Sequence, residues 1–285
     1  MEEKIKVAIV YDFDGTLSPR NMQEYSFIPD MGLTPEEFWA GADILAKGQD
    51  GDSVLAYMSR MVSVAHEKGI ALTRENFKRW GSAIELYDGV KEWFSRINEY
   101  GAQRGIEIQH YINSSGVKEM IEGSAVAHEF HKIYACSFLY NNSGEAYWPG
   151  VAINYTNKTQ FIFKINKGIE TVHDNTRVNE YVEEYLRPIP FRHIIFVGDG
   201  MTDIPCMRLV KNGGGYAIAV YDPSFDDVPD KMLPLVQHSR VNHVCKADYR
   251  SREEMDNLMA RILDKIKADY YIWQLEVENN NRPTK

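Results

Sequence analysis

Val7-Ala8-Ile9-Val10 is an unbroken apolar run, and it stops abruptly at Tyr11-Asp12-Phe13-Asp14-Gly15-Thr16-Leu17. A run without polar alternation predicts a strand buried on both faces, as in a parallel sheet. His193 to Val197 repeats the pattern ahead of Gly198-Asp199-Gly200-Met201-Thr202-Asp203, and Tyr216 to Val220 forms a third such run. Ile106 to Asn113 alternates and ends at Ser114-Ser115-Gly116. Lys132 to Tyr140 and Glu145 to Tyr155 flank Asn141-Asn142-Ser143-Gly144, a hairpin signal.

Between these strands the spacing turns helical. Thr34-Pro35-Glu36-Glu37 has capping-box spacing with proline at the first helical position. Asp52 or Ser53 opens a second helix, with Leu55, Met58, Val62 and Ala65 on one face. Thr73 caps a third carrying Phe77, Trp80 and Ile84. Ser18 to about Asp88 therefore reads as wholly helical, and Tyr87-Asp88-Gly89 as the hinge that ends it. Further helices are expected over Val90 to Tyr100, Val117 to Ile121, Thr159 to Lys167 (closed by Gly168), after Asp203 and from Ser251 to about Tyr271. Thr171 to Arg187 is ambiguous, Asp222 to Asp230 reads as a loop, and Asn279 onward as a frayed tail.

Strands alternating with helices predict an α/β fold, a doubly wound parallel sheet with a helical cap inserted after the first strand. The expected division is a core of residues 1–17 and 89–285 and a cap of residues 18–88.

Composition narrows the function more than the fold. The chain has 285 residues, 44% hydrophobic and 26% charged, which suits a soluble globular protein. No apolar run approaches the roughly 20 residues of a membrane helix, and Met1-Glu2-Glu3-Lys4 carries no export signal, so a cytoplasmic protein is expected. A net charge of −9 without a long basic run argues against nucleic acid. Cys136, Cys206 and Cys245 are too widely spaced for a zinc pattern and read as reduced, buried thiols. An acidic chain that handles an anion must gather positive charge locally, from lysine, arginine, metal or helix N-termini.

Three strands end in chemistry: Asp12 and Asp14, Ser114 and Ser115, Asp199 and Asp203. Parallel strands present their carboxyl ends at one edge, so the groups converge if the strands are neighbours. Acids this close repel one another, and a divalent cation relieves the repulsion. Lys158 at the start of a helix is a candidate cation, with Lys164 and Lys167 as competitors.

In these residues the chain resembles the phosphatases of the haloacid dehalogenase superfamily. Asp12-Phe13-Asp14-Gly15-Thr16 matches the first motif, Ser114 (or Ser115 in an alternative frame) the second, Lys158 the third, and Gly198 to Asp203 the fourth. The helical insert is similar to the family's C1 cap, as in phosphoserine phosphatase-like members. The resemblance implies Asp12 as nucleophile and Asp14 as general acid and base. It implies Mg²⁺ held by Asp12, the Asp14 carbonyl and Asp199, with Asp203 orienting bound water or Lys158. Ser114 and Lys158 are implied at the phosphoryl oxygens; Ser115, Gly116 and Thr16 are further substrate-binding candidates, and Arg20, Gln23, Glu24 and Arg60, which the insert carries, are candidate contacts to the leaving group. The phosphoserine-specific members carry a glutamate nine positions after the nucleophile, and Asn21 stands there instead. The expected activity is Mg²⁺-dependent hydrolysis of a small phosphorylated metabolite through an aspartyl-phosphate. A phosphomutase on the same core and a catalytically idle phospho-ligand sensor are the alternatives.

Overall fold

β1 (Ile5–Tyr11) lies at the middle of the sheet in the computed structural model, which describes residues 4–280. After a 3-10 turn at Met22–Glu24 come α1 (Phe27–Asp30), α2 (Pro35–Gln49), α3 (Ser53–Glu67) and α4 (Arg74–Gly81). Then follow α5 (Val90–Ala102), β2 (Ile106–Val117), α6 (Lys118–Ile121), and the hairpin of β3 (Lys132–Tyr140) and β4 (Ala146–Val151). The chain continues through α7 (Thr159–Asn166), α8 (Thr176–Asn179), β5 (Ile194–Gly198) and α9 (Ile204–Asn212). It closes with β6 (Tyr216–Tyr221), α10 (Leu233–Gln237), β7 (His243–Lys246) and α11 (Glu254–Asn280).

The sheet order is β4-β3-β2-β1-β5-β6-β7. Every neighbouring pair is parallel except β3 with β4, which is antiparallel and forms the edge. The expected parallel sheet is thus correct for its core, and the hairpin adds one reversed strand. Val7 to Tyr11 are fully buried, as a central strand with both faces covered requires. The strand order turns at β1, whose two flanking strands lead away in opposite directions, and open α/β sheets bind ligands at such a turning point. Tyr11 pairs with Ile112 of β2 and Val197 of β5. Asp12, Asn113 and Gly198 therefore follow at one level, with Ser114 and Asp199 one step beyond.

The helical caps form as their sequences dictate. Thr34 Oγ1 accepts from Glu37 N (3.2 Å) while Glu37 Oε2 accepts from Thr34 N (2.8 Å), which completes the capping box. Asp52 accepts from Val54 N and Leu55 N, both at 2.9 Å, and Thr73 from Asn76 N at 3.1 Å. Each such cap is worth about 1 kcal/mol. Gly89 has φ +79°, and a Cβ there would sit 2.4 Å from Arg250 N, so glycine is required both by conformation and by close packing.

Four expectations change. β2 runs on through Ser114-Ser115-Gly116 to Val117. Thr171 to Arg187 holds only the single turn α8 and a short 3-10 turn. α10 and β7 lie where no element was expected. α11 continues past Tyr271 to Asn280, and the rest of the expected tail lies outside the described residues.

Candidate active site

Asp12 leaves β1 with its backbone N bonded to Val197 O (2.9 Å), so the parallel pairing with β5 carries one residue beyond the strand. Its Oδ1 accepts from Phe13 N at 2.8 Å, which fixes the carboxylate, and Oδ2 lies 3.2 Å from Lys158 Nζ. Gly15 turns the chain with φ +72°, and a Cβ on it would stand 2.3 Å from Asp199 Oδ2. The glycine thus serves twice: it permits the turn and lets the β5 acid approach β1. Gly198 does the same for Asp203, whose Oδ2 is 2.4 Å from where its Cβ would be.

Asp14 points the other way, toward the helical segment. Its Oδ1 accepts from Met22 N at 2.9 Å. Burial, and next the Asp12 charge, hold its carboxyl well above the ordinary aspartate range. One oxygen each of Asp12, Asp199 and Asp203 fall within 4.8 Å of one another. Hard carboxylate oxygens crowded this closely suit a hard divalent cation. The Asp14 side chain is not in that cluster.

Lys158 is completely buried, with Nζ 2.5 Å from Asp203 Oδ1 as well as beside Asp12. Burial alone would lower its ammonium, but the Asp12 and Asp203 carboxylates outweigh it and hold the group above the usual lysine range. The competitors are engaged elsewhere: Lys164 donates to Thr171 O (3.0 Å) and Asp174 O (2.7 Å), and Lys167 to Val178 O and Glu180 O, both at 2.5 Å. Asn113, not singled out from the sequence, donates from Nδ2 to Lys158 O at 3.0 Å and so anchors the lysine to β2.

A cavity of about 560 Å³ opens over these strand ends, lined by Asp12, Asp14, Ser114, Ser115, Gly116 and Asp199 below. From the helical segment Arg20, Gln23, Glu24, Trp39 and Tyr57 line it. Ser114 Oγ accepts from Gly116 N at 3.0 Å, and Ser115 Oγ has no partner. Tyr57 donates to Ser115 O at 2.6 Å and ties α3 to the end of β2. Trp39 and Tyr57 gave no sequence signal beyond apolar spacing.

Two expected contacts are corrected. Arg60 does not line the cavity; its guanidinium lies against Gly41 and donates to Glu37 O at 3.3 Å, bracing α2 on α3. Thr16 is fully buried under the turn rather than facing the cavity; its carbonyl accepts from Tyr249 OH at 2.8 Å, and its hydroxyl has no partner.

The acidic cluster has a thermodynamic signature. Burial, then the Asp203 and Asp12 charges, push Asp199 up to about 8. A carboxyl raised above its unfolded value of about 3.9 stabilises the fold fully below that value, and the contribution is lost as pH rises through 8. Metal-free protein should therefore melt at progressively lower temperature from pH 5 to pH 8.5. Asp199→Asn, which cannot ionise, should melt above wild type in EDTA at pH 8, with the gap closing toward pH 4. Mg²⁺ should raise the wild-type melting temperature and leave the variant's almost unmoved. A variant less stable than metal-free wild type at pH 8 would count against the repulsion argument.

Carboxylates gathered at the turning point of a doubly wound sheet, with a buried lysine beneath and a helical segment above, define a hydrolase-type site for an anionic group. The haloacid dehalogenase-like hydrolase family model matches residues 9–208, and the chain belongs to that family. An uncharacterized protein of Borreliella burgdorferi (strain B31) is 28% identical over 231 residues, 72% of this chain and 79% of that protein. Among solved structures, a HAD family hydrolase, t0658, from Salmonella enterica serovar Typhi is similar, with a TM-score of 0.55. It is 14% identical, and the match covers 90% of this chain and 70% of that one. A substrate-bound phosphoserine phosphatase has a TM-score of 0.54 at 17% identity, over 90% of this chain and 99% of that chain. A phospho-aspartyl intermediate analogue of phosphoserine phosphatase reaches 0.52 at 17% identity, over 86% and 95%. At these identities the likeness is one of fold. Among the described residues no helix is long and apolar enough to cross a membrane.

Proposed function

We propose that the protein is a Mg²⁺-dependent phosphomonoester hydrolase that works through an aspartyl-phosphate on Asp12. The observation that carries this reading is the division of labour between two acids two residues apart. Asp12 is held beside Lys158 and the other carboxylates, whereas Asp14 is turned to the cavity with its carboxyl pushed up. An acid held against an ammonium, two residues from one whose carboxyl is pushed up in the cavity, is suited to the nucleophile role beside a proton donor.

Asp12 attacks phosphorus, and the bond to the leaving oxygen breaks as Asp14 delivers its proton there. Asp14, now ionised, takes a proton from water, whose oxygen attacks the same phosphorus and releases Asp12. Lys158 balances charge at Asp12, and Asp203 holds Lys158 in place. Ser114 and the unpartnered Ser115 hydroxyl are the groups offered to the phosphoryl oxygens. The carboxylates of Asp12 and Asp199 with the Asp14 carbonyl are the set that would hold Mg²⁺. When bound, the cation supplies positive charge beside the transferring group, the main need in phosphoryl transfer. The helices of residues 18–88 serve as a cap that closes over the leaving group and excludes water.

The deciding experiment is an aryl phosphate turnover assay. Activity should require Mg²⁺, vanish with EDTA and return on readdition. Turnover indifferent to chelation would reject the metal, and no turnover under any divalent cation would reject the hydrolase in favour of a phospho-ligand sensor.

A further inference from the structure

Lys158 is held through its backbone as well as by the acids. Its N donates to Asn154 O at 3.1 Å, and its O accepts from Asn113 Nδ2 at 3.0 Å. The lysine ends a 3-10 turn, Tyr155–Lys158, and that turn is not relaxed. Tyr155 has φ +27°, in the left-handed region that an aromatic residue rarely adopts. Such a conformation persists only where the surroundings hold it. Asn157 gives one hold: its Oδ1 accepts from Asn154 N at 2.8 Å, and its Nδ2 donates to Ala152 O at 3.0 Å.

A second hold comes from the helical segment. Asn154 Nδ2 donates to Asp52 Oδ2, a contact between residues 102 positions apart. Asp52 divides its carboxylate, because Oδ1 caps α3 through Val54 N and Leu55 N. Further along α3, Tyr57 donates to Ser115 O. α3 therefore stands on two segments of the site at once: the end of β2, which carries Ser114, and the turn that carries Lys158. Asn154 joins the two sides, bonded to Lys158 through its backbone O and to α3 through its side chain. A hydrogen bond to a carboxylate is among the stronger ones. Lys158 Nζ lies 3.2 Å from Asp12 and 2.5 Å from Asp203, so a shift of the turn would weaken the longer Asp12 contact first.

We propose that Asp52 and Asn154 are positioning residues: α3, when seated, fixes the Tyr155–Lys158 turn and so brings the Lys158 ammonium to Asp12. This rests on the phosphomonoester reading above. Neither residue touches the reacting atoms; both act through Lys158. The charge that the reaction needs is then complete only while the helical segment is in place, so closure over a substrate also assembles the site.

Two readouts test this. The first needs no catalysis. Asp52→Ser retains a helix cap but is too short to reach Asn154. Backbone amides of residues 152–160 should then exchange with deuterium faster by roughly fivefold, although the substitution lies on another element. The second is kinetic, with a small aryl phosphate under Mg²⁺. Asn154→Asp sets a carboxylate against Asp52 and should lower kcat and kcat/KM together by about tenfold, as the loss of an interaction made at the transition state requires. Adding Asp52→Asn reverses donor and acceptor across the contact and should restore kcat to within about threefold of wild type. A double variant as slow as Asn154→Asp, or unchanged exchange over residues 152–160 in Asp52→Ser, overturns the proposal, while hydrolysis by wild type leaves the enzyme reading standing. If Asn154→Asp does not fold, the kinetic loss is read in Asp52→Ser, and wild-type kcat there overturns the proposal. A wild type that hydrolyses no aryl phosphate overturns both.

Discussion

Asp12→Asn is expected to abolish turnover, with kcat falling by on the order of 10⁴-fold or more, as when a covalent nucleophile is removed. The amide retains the shape of the carboxylate and an oxygen that accepts from Phe13 N, so the turn at the end of β1 should persist. Lys158 loses one anionic neighbour but keeps Asp203 at 2.5 Å. One charge also leaves the crowded cluster with Asp199 and Asp203. The variant should consequently fold and melt near wild type while forming no covalent adduct from any phosphoester. Steady-state assay, intact mass after acid quench and thermal melting together decide it. Wild-type turnover in Asp12→Asn would reject the covalent mechanism, and an unfolded variant would show that the charge at position 12 is structural.

The parts of this site that could be read from the sequence are those written in adjacent residues. An apolar run followed by Asp12-Phe13-Asp14-Gly15 encodes a buried strand, its end and its turn within one short stretch. Gly198 to Asp203 does the same for β5. Their meeting follows from parallel pairing alone, and the structure places both at the same edge. Long-range choices were less legible. Lys158 opens α7, Lys164 lies within it and Lys167 follows it, and only the fold shows which ammonium reaches the acids. Arg60 has the right chemistry on the right helix, but periodicity does not say which partner a long side chain finds, and it found α2.

Other misses have their own physical causes. β7 is four residues with a single partner strand, too short for its pattern to stand out, and its stability comes from pairing with β6. The last turns of α11 carry exposed Tyr271, Ile272 and Leu275, so amphipathic spacing no longer marks a buried face there. Trp39 and Tyr57 were not singled out because nothing in the sequence separates an aromatic that packs between helices from one that also lines a cavity, and these two do both. His110, to which the sequence assigned no role, is buried and satisfied by Tyr11 OH (3.1 Å) and Asn98 Oδ1 (3.0 Å), and burial pushes it down to about 3.

Asp14→Asn should separate the two halves of the reaction. The substituted amide retains an oxygen for Met22 N, so the contact that joins the turn to the helical segment survives and the cavity should keep its shape. What the variant loses is a proton to give and, afterward, a place to put one. An aryl leaving group departs without acid help, so the first step continues at a useful rate. Attack by water still needs a base, so the second step should slow by about 10²- to 10⁴-fold. Aspartyl-phosphate on Asp12 should therefore accumulate, visible as one added phosphoryl group in intact mass and as a burst of one phenolate per site. An alkyl phosphate needs the acid in the first step, so with it the variant should show neither burst nor adduct. The wild-type pH profile supplies the third arm. Because burial and the Asp12 charge hold the Asp14 carboxyl well above its ordinary range, alkyl ester turnover should fall as pH rises through its ionisation. That fall should be absent for adduct formation from aryl phosphate in Asp14→Asn. Normal steady-state turnover of both esters without any adduct would show that the proton moves through another group, and the acid and base role would have to be reassigned.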